Sequence, residues 1–202
     1  MDNKPTYGGG LTREQFLAFE CKVVAKLMLE DKNYEEIENE IREDNLFQLP
    51  TLKSVKDIGR ACYKRLSFVN DKRLLELVAN GGSMVSRFAI LYCMACQNLV
   101  VRDYLTEVIG PKYKSRTIGF DKTDVNHYLS DLATKVESVN GWSEGTAKKI
   151  NAVLVKILVE SGYLTTIKSK ELNPISVDDE LLMIIKDRGD YDLLPAFNEI
   201  GD

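Results

Sequence analysis

The side chains whose types and spacing could do chemistry in this chain are cationic, and the chemistry is neutralisation of phosphate. Lys53, Lys56, Arg60 and Lys64 recur at 3-4-4 spacing, which stacks them on one face of a helix. Val55, Ile58, Cys62, Leu66 and Val69 form an apolar stripe about 180° away. A basic stripe opposite a buried one can lie along a nucleic-acid backbone. The alternative is a solvated face, which is what a charge run usually is. A second array lies in WSEGTAKKINAVLVKILVESGYLTTIKSKELNPI, from Trp142 to Ile175. There Thr146, Lys148 and Lys149 occupy the first turns of a helix, and Lys168 and Lys170 a polar turn after it. Arg116 adds a charge from the base-rich loop Lys112 to Lys122.

The elements that must position this second array can be read from the spacing. Ser143 is a good N-cap. Ala147, Ile150, Leu154, Ile157, Leu158 and Ser161 recur at helical spacing, and Gly162 stands where a left-handed residue closes a helix cheaply. Tyr163 to Ile167 is β-branched and aromatic, and Leu172 to Ile175 can return as its partner, which predicts one short β-hairpin. A lysine-bearing helix tied to a basic hairpin is the layout of a winged helix-turn-helix. In that layout the first turns of the second helix enter the major groove and the hairpin touches the backbone. The alternative is a helix and hairpin that only pack.

No other chemistry assembles. His127 is the single histidine, mid-helix beside Tyr128, with no nucleophile motif around it. Cys93 and Cys96 form C-x-x-C inside an apolar helix rather than at a helix start after a strand, where redox motifs sit. Cys21 and Cys62 are scattered, and zinc needs four ligands at sensible spacing. No phosphate-cradling glycine motif occurs. The expectation is a protein that is not an enzyme, with no catalytic residue, no metal site and no cofactor.

The rest of the chain reads as mostly α, a compact multi-helix fold. Met1 to Leu11 is expected to be a flexible lead-in. Thr12 and Gln15 suggest a capping box for a helix to Leu29. An acidic helix Tyr34 to Glu43 follows, with Ile37 and Ile41 facing inward, then the basic helix Lys53 to Val69 capped by Thr51 or Ser54. A short helix Asp71 to Ala79 precedes a long apolar one, from Ser83 to about Val108, bent near Asn98 and ended by Gly110-Pro111. Asp121 or Thr123 opens a helix to Val136, and Ser176 caps a last one, Val177 to Lys186. The expected division is residues 1–110, an N-terminal helical subdomain with the basic and central helices, and residues 111–202, carrying the helix and hairpin wing, packed as one unit.

Charge qualifies the phosphate reading. The 202 residues carry a net charge of −4, which is not that of a strongly basic nucleic-acid binder. The charge is segregated, however. Acids crowd into Glu30 to Asp44 and Asp178 to Asp202, and bases into Lys53 to Arg73, Lys112 to Lys122 and Lys148 to Lys170. The three basic segments are expected to converge on one side. The apolar run Phe88 to Val101 is broken by Gln97 and Asn98 and falls short of the ~20 residues of a membrane span. With no apolar leader at MDNKPTYGGG, a cytoplasmic protein with reduced thiols and no membrane contact is expected.

A family likeness is carried by Tyr7 with Gly10-Leu11, Asp44-Asn45-Leu46-Phe47, Thr51, Lys53-Ser54 and Arg65-Leu66. Arg102-Asp103-Tyr104, Ser143 with Thr146 and Lys148, and Glu160-Ser161-Gly162-Tyr163-Leu164 continue it. In order and spacing these resemble the BrxA family, a small component of bacterial BREX phage-defence systems, over nearly the whole chain. The resemblance implies a mostly helical fold likened to the antitermination factor NusB, double-stranded DNA and other BREX proteins as partners, and no catalytic role. The DNA-binding residues expected from the spacing are Lys53, Lys56, Arg60, Lys64, Arg116, Thr146, Lys148, Lys149, Lys168 and Lys170. Two rivals stand beside this: an RNA-binding or transcription-complex factor, and a scaffold that joins defence proteins through its acidic helix or tail.

Overall fold

The computed structural model describes residues 4–12 and 15–200. Asp202, the end of the acidic tail, and the first three residues of the lead-in lie outside that range. Two compact units emerge, Phe16–Cys93 and Met1–Gln15 with Met94–Asp202.

In the unit Phe16–Cys93, α1 (Ala18–Leu29) packs on α3 and α4, and α2 (Tyr34–Glu43) packs on α3. The start of α1 differs from the capping-box expectation. Gln15 is not helical, and Leu17 precedes the helix in a left-handed conformation at φ 56° with no side-chain cap. Phe16 beside it is buried, so packing of that aromatic sets the entry. α2 is capped by Asn33, which exchanges hydrogen bonds with Glu36, and it buries Ile37 and Ile41. α3 (Leu52–Val69) starts at the Thr51 cap, whose hydroxyl accepts from the Ser54 N–H. Val55, Cys62, Leu66 and Val69 are buried as the stripe predicts. α4 (Lys72–Asn80) is capped by Asp71.

α5 (Ser83–Gln97) opens in this unit. Every residue from Phe88 to Cys96 is buried, as expected of a central helix. The expected bend at Asn98 is a break. Asn98 is extended, and its side chain caps α6 (Leu99–Tyr104) by accepting from the Val100 N–H at 2.9 Å.

The remaining elements belong to the other unit. The helix does not end at Gly110-Pro111. A π turn, Leu105–Ile109, leads straight into α7 (Gly110–Lys114). Pro111 lacks an N–H, but in the first turn of a helix that donor is dispensable. Gly110 packs closely there, where an added Cβ would lie 3.2 Å from the Ala196 nitrogen and from Pro195 Cβ. The lead-in is not loose over its described residues. Thr6 bridges to Asn98, and the Tyr7 hydroxyl donates to Asp103 at 2.6 Å.

α8 (Lys122–Lys135), capped by Asp121, the single turn α9 (Glu137–Asn140) and α10 (Glu144–Glu160) follow, with α10 packed on α8. The last helix, α11 (Asp179–Asp187), is capped by Asp178 rather than Ser176. A 3-10 segment, Tyr191–Phe197, closes the fold.

The expected β-hairpin is absent: among the described residues no strand ladder forms. Tyr163 and Leu164 are both buried, so the alternation a half-exposed strand needs is lost. The Tyr163 hydroxyl donates to the Ala196 carbonyl at 2.8 Å, which draws the segment inward. The chain from Thr165 to Lys170 is instead a loop. It joins the rest of the unit through one antiparallel bridge, Gly119 with Glu171, made by Phe120 N–H to Lys170 O and Leu172 N–H to Ile118 O, each 2.7 Å.

Candidate nucleic-acid interface

The first turns of α10 are the best-formed part of the site. Ser143 Oγ accepts from the Thr146 N–H at 3.2 Å and shares a hydrogen bond with the Thr146 hydroxyl at 3.0 Å. Thr146 is therefore half-buried and engaged in the cap. Lys148 and Lys149 are exposed. Lys148 pairs with Glu144 one turn back, but both side chains are largely in solvent, where such a pair is worth only a few tenths of a kcal/mol. Lys149 has no carboxylate within ion-pair distance among the described residues. A hollow of about 550 Å³ runs beside Lys148 between α8 and α10, lined by Asn126, Asn140, Trp142 and Asn151 among others. The Asn151 amide donates to the Asn126 carbonyl oxygen across it at 2.7 Å.

The loop cations sit at the other end of the helix. α10 is 17 residues, about 25 Å at 1.5 Å per residue. Lys168 is exposed with no ion partner among the described residues. Lys170 pairs with Asp121 at 2.7 Å, and that ammonium, with the Thr123 backbone and hydroxyl, holds the Asp121 carboxyl down at about 2. Arg116 is exposed in a left-handed conformation at φ 56°. The Gly119–Glu171 bridge brings the 116–120 segment beside the loop. Arg116 and Lys168 both precede that antiparallel bridge, so they lie on opposite sides of it. The second array is thus split between two ends of α10 rather than gathered at one.

The α3 stripe belongs to the other unit. Lys53, Lys56, Arg60 and Lys64 are all exposed, as expected. Lys56 is taken by Glu38 of α2 at 2.8 Å, which lowers the Glu38 carboxyl's proton affinity. Arg60 lies beside the Tyr34 hydroxyl. Lys53 and Lys64 have no carboxylate partner among the described residues.

His127 is exposed on α8 over a hollow of about 330 Å³ with Glu107, Asp124 and Asp131. Among the described residues no group of His, Cys, Asp and Glu is placed to hold a metal ion. All four cysteines are buried thiols. No described helix is long and apolar enough to cross a membrane.

The family model for BrxA matches residues 5–189. This chain belongs to the BrxA family. A BREX protein BrxA of Bacillus cereus (strain H3081.97) is 23% identical over 191 residues, covering 94% of this chain and 95% of that one. The BREX protein BrxA of Escherichia coli O9:H4 (strain HS) is 22% identical over 194 residues, 96% of this chain and 91% of its own. The crystal structure of an uncharacterized protein from Magnetospirillum magneticum superposes with a TM-score of 0.80 at 19% identity. It covers 96% of this chain and 98% of that one, and so shares the fold.

The residues that carry the BrxA likeness mostly hold the fold. Arg102 forks onto Asp190 at 2.9 Å and Asp192 at 2.6 Å. Asp103 accepts from Tyr7, which pushes that phenol up to about 12. Tyr104 packs its ring 5.3 Å from Tyr128. Arg65 is buried, with Nη1 donating to the Phe16 carbonyl at 2.7 Å and 3.6 Å from Cys21 Sγ. Ser161 Oγ donates to the Ile157 carbonyl, and Gly162 takes φ 89° to end α10. In this BrxA-family chain Asn173 is a further anchor that the spacing does not mark. Its backbone N–H donates to Tyr163 O, its amide to Gly162 O, and its carbonyl accepts from the Tyr113 hydroxyl. An isolated asparagine in a loop carries no periodic signal that could have marked it.

Proposed function

We propose that this BrxA-family chain is a non-catalytic, cytoplasmic component of BREX phage defence that binds double-stranded DNA with little sequence preference. The observation that carries the reading is the N-terminal half of α10. It is capped by Ser143, stands free of the core on the side of Lys148 and Lys149, and is presented by the short α8–α9–α10 hairpin in the manner of a helix-turn-helix. Thr146 orders the cap, Lys148 exchanges Glu144 for a phosphate, and Lys149 is unpaired from the start. Lys168, Lys170 and Arg116 supply phosphate contacts from the other end of the helix, and Lys53 and Lys64 are the open charges of α3.

The acidic total is compatible with this, because exposed charges are screened beyond roughly 8 Å at physiological salt. Fluorescence anisotropy with a labelled duplex tests the reading, with single-stranded RNA as competitor at fixed salt. Duplex must compete far better than RNA. Wild-type protein with no affinity for duplex at low salt would remove the proposal.

A second reading is favoured by the α2–α3 contact. Glu38 already engages Lys56, and Arg60 lies beside Tyr34, which fits a face made for other BREX proteins better than one made for phosphate. Replacing Lys53 and Lys64 by Gln then leaves duplex affinity unchanged.

A further inference from the structure

The loop Thr165–Lys170 is built as a rigid knuckle with an apolar tip. Its base is tied by Asn173, through bonds to Tyr163, Gly162 and the Thr165 hydroxyl. Its tip is a tight turn in which Ser169 N–H donates to Thr166 O, Thr166 N–H to Ser169 Oγ, and Lys168 N–H to Thr166 Oγ1. This ordering presents Ile167, 52% exposed, to solvent. A single exposed isoleucine is unremarkable on a mobile loop. Here the backbone on both sides is pinned, so the side chain is held out rather than left out.

Charge identifies what it faces. Lys168 follows it in the turn, and Lys122, at the start of α8, directly follows Asp121, the carboxylate that Lys170 engages. Neither has a carboxylate partner among the described residues. Lys170 is the third cation, shared with Asp121. The nearby acids are Asp121, so engaged, and Glu171 in the bridge.

Position supplies the second argument. Lys148 and Lys149 lie 11 to 12 residues before Glu160, the last residue of α10, about 17 Å along the helix axis, and the knuckle follows that end. One turn of duplex is about 34 Å. The span along α10 is therefore about half a duplex turn, the axial distance from a major groove to the neighbouring minor groove.

We propose that Ile167 is a minor-groove wedge: it inserts at a flexible base step while Lys168, Lys122 and Lys170 hold the flanking phosphates. The proposal rests on the duplex-binding reading. Isoleucine between cations is a side chain of the kind that unstacks a base step, and pyrimidine–purine steps yield most easily. One side chain suffices for a wedge. An anionic membrane would need a larger apolar surface than a single tip offers.

Duplexes carrying 2-aminopurine at a central TA step, and the same probe at other steps, test it. Affinity is read by anisotropy and unstacking by fluorescence at saturation. Wild-type protein raises the fluorescence at a TA step by about threefold or more, as an opened step requires. Ile167→Ala binds at most about tenfold more weakly and leaves the fluorescence at the free-duplex level. Lys148→Gln/Lys149→Gln weakens binding but keeps the rise at saturation.

An equal rise in Ile167→Ala, or wild-type binding with flat fluorescence at every step, overturns the wedge and leaves duplex binding standing. Absence of any duplex binding removes both. Retention on phosphatidylglycerol vesicles that depends on Ile167, with flat duplex fluorescence, assigns the tip to a membrane surface and overturns the wedge. Ile167 is exposed, so unchanged circular dichroism melting checks that the variant folds.

Discussion

Replacing Lys148 and Lys149 by glutamine isolates the α10 end of the interface, because neither side chain supports the core. Affinity for duplex DNA falls with salt as counterions are released, with a slope in log–log form of about −0.9 per phosphate neutralised. Five cations of this unit set the slope reckoned for the α10 interface, Arg116, Lys148, Lys149, Lys168 and Lys170, and Lys122 of the wedge or the lysines of α3 would each add about 0.9 to its magnitude. The slope expected for wild-type protein is then about −4.5, so a fourfold rise in salt weakens binding by about 500-fold. Removing two contacts brings the slope to about −2.7, and the same rise in salt costs about 40-fold. Both figures are upper values for that set, because Glu144 beside Lys148 and Asp121 beside Lys170 remain to repel phosphate. The assay is anisotropy of a labelled duplex across a salt series, with melting followed to show that the fold is intact. A slope that does not change in the double variant refutes the placement of α10 at the DNA. A wild-type slope near zero refutes a phosphate-driven interface altogether.

Three further substitutions test the frame that carries the cations. Tyr7→Phe removes the hydrogen bond to Asp103, at a cost of about 1 kcal/mol after solvent screening. Tyr7 has its pKa raised from 10.0 to about 12 by that bond and by burial, so the bond's contribution is full below pH 10 and lost as pH rises to about 12. The melting difference between wild type and Tyr7→Phe should close over that window, and a constant difference would count against the assignment. Arg65→Ala leaves the Phe16 carbonyl unpaired and opens a cavity, destabilising by roughly 3 kcal/mol. Hydrogen exchange should accelerate in α1 and α3 first. Asn98→Ala loses the α6 cap and the bond to the Gly8 carbonyl, roughly 1.5 kcal/mol together. The Leu99 amide, bonded to Thr6 O, should exchange faster, and an unchanged rate would show that Asn98 is not what holds the lead-in.

Periodicity was a good guide wherever one face of a helix is buried and the other wet. α2, α3 and α10 lie where their stripes put them, with Asn33, Thr51 and Ser143 as caps. It failed where a long-range partner decides. The Tyr163 side chain is claimed by the Ala196 carbonyl, so a β-branched run became a loop. Gly110-Pro111 read as a stop, yet a π turn carries the helix through it because Gly110 fits against Pro195 and Ala196. Of the candidate site residues, the stripe of α3 and the pair Lys148–Lys149 were legible as exposed. That Lys56 meets Glu38 was not, since nothing in the spacing of either helix announces how α2 lies on α3.

The residues that make the chain recognisable and the residues offered to DNA are largely different sets, and this has a consequence for how function is tested. Arg65, Arg102, Asp103, Tyr104, Ser161, Gly162 and Tyr163 are committed to internal contacts. Changing them perturbs the frame, and any loss of activity would follow from that without touching an interface. Ser143 and Thr146 are intermediate, because they order the turn that presents Lys148 and Lys149, and Lys53 and Lys148 belong to both sets. The exposed cations contribute almost nothing to packing, so neutralising them leaves the fold alone and acts on the phosphate contacts directly. Loss of defence with retained folding in the Lys148→Gln/Lys149→Gln protein therefore bears on DNA binding, whereas the same loss in an Arg102 variant bears only on the joint between α6 and the Asp190–Asp192 segment.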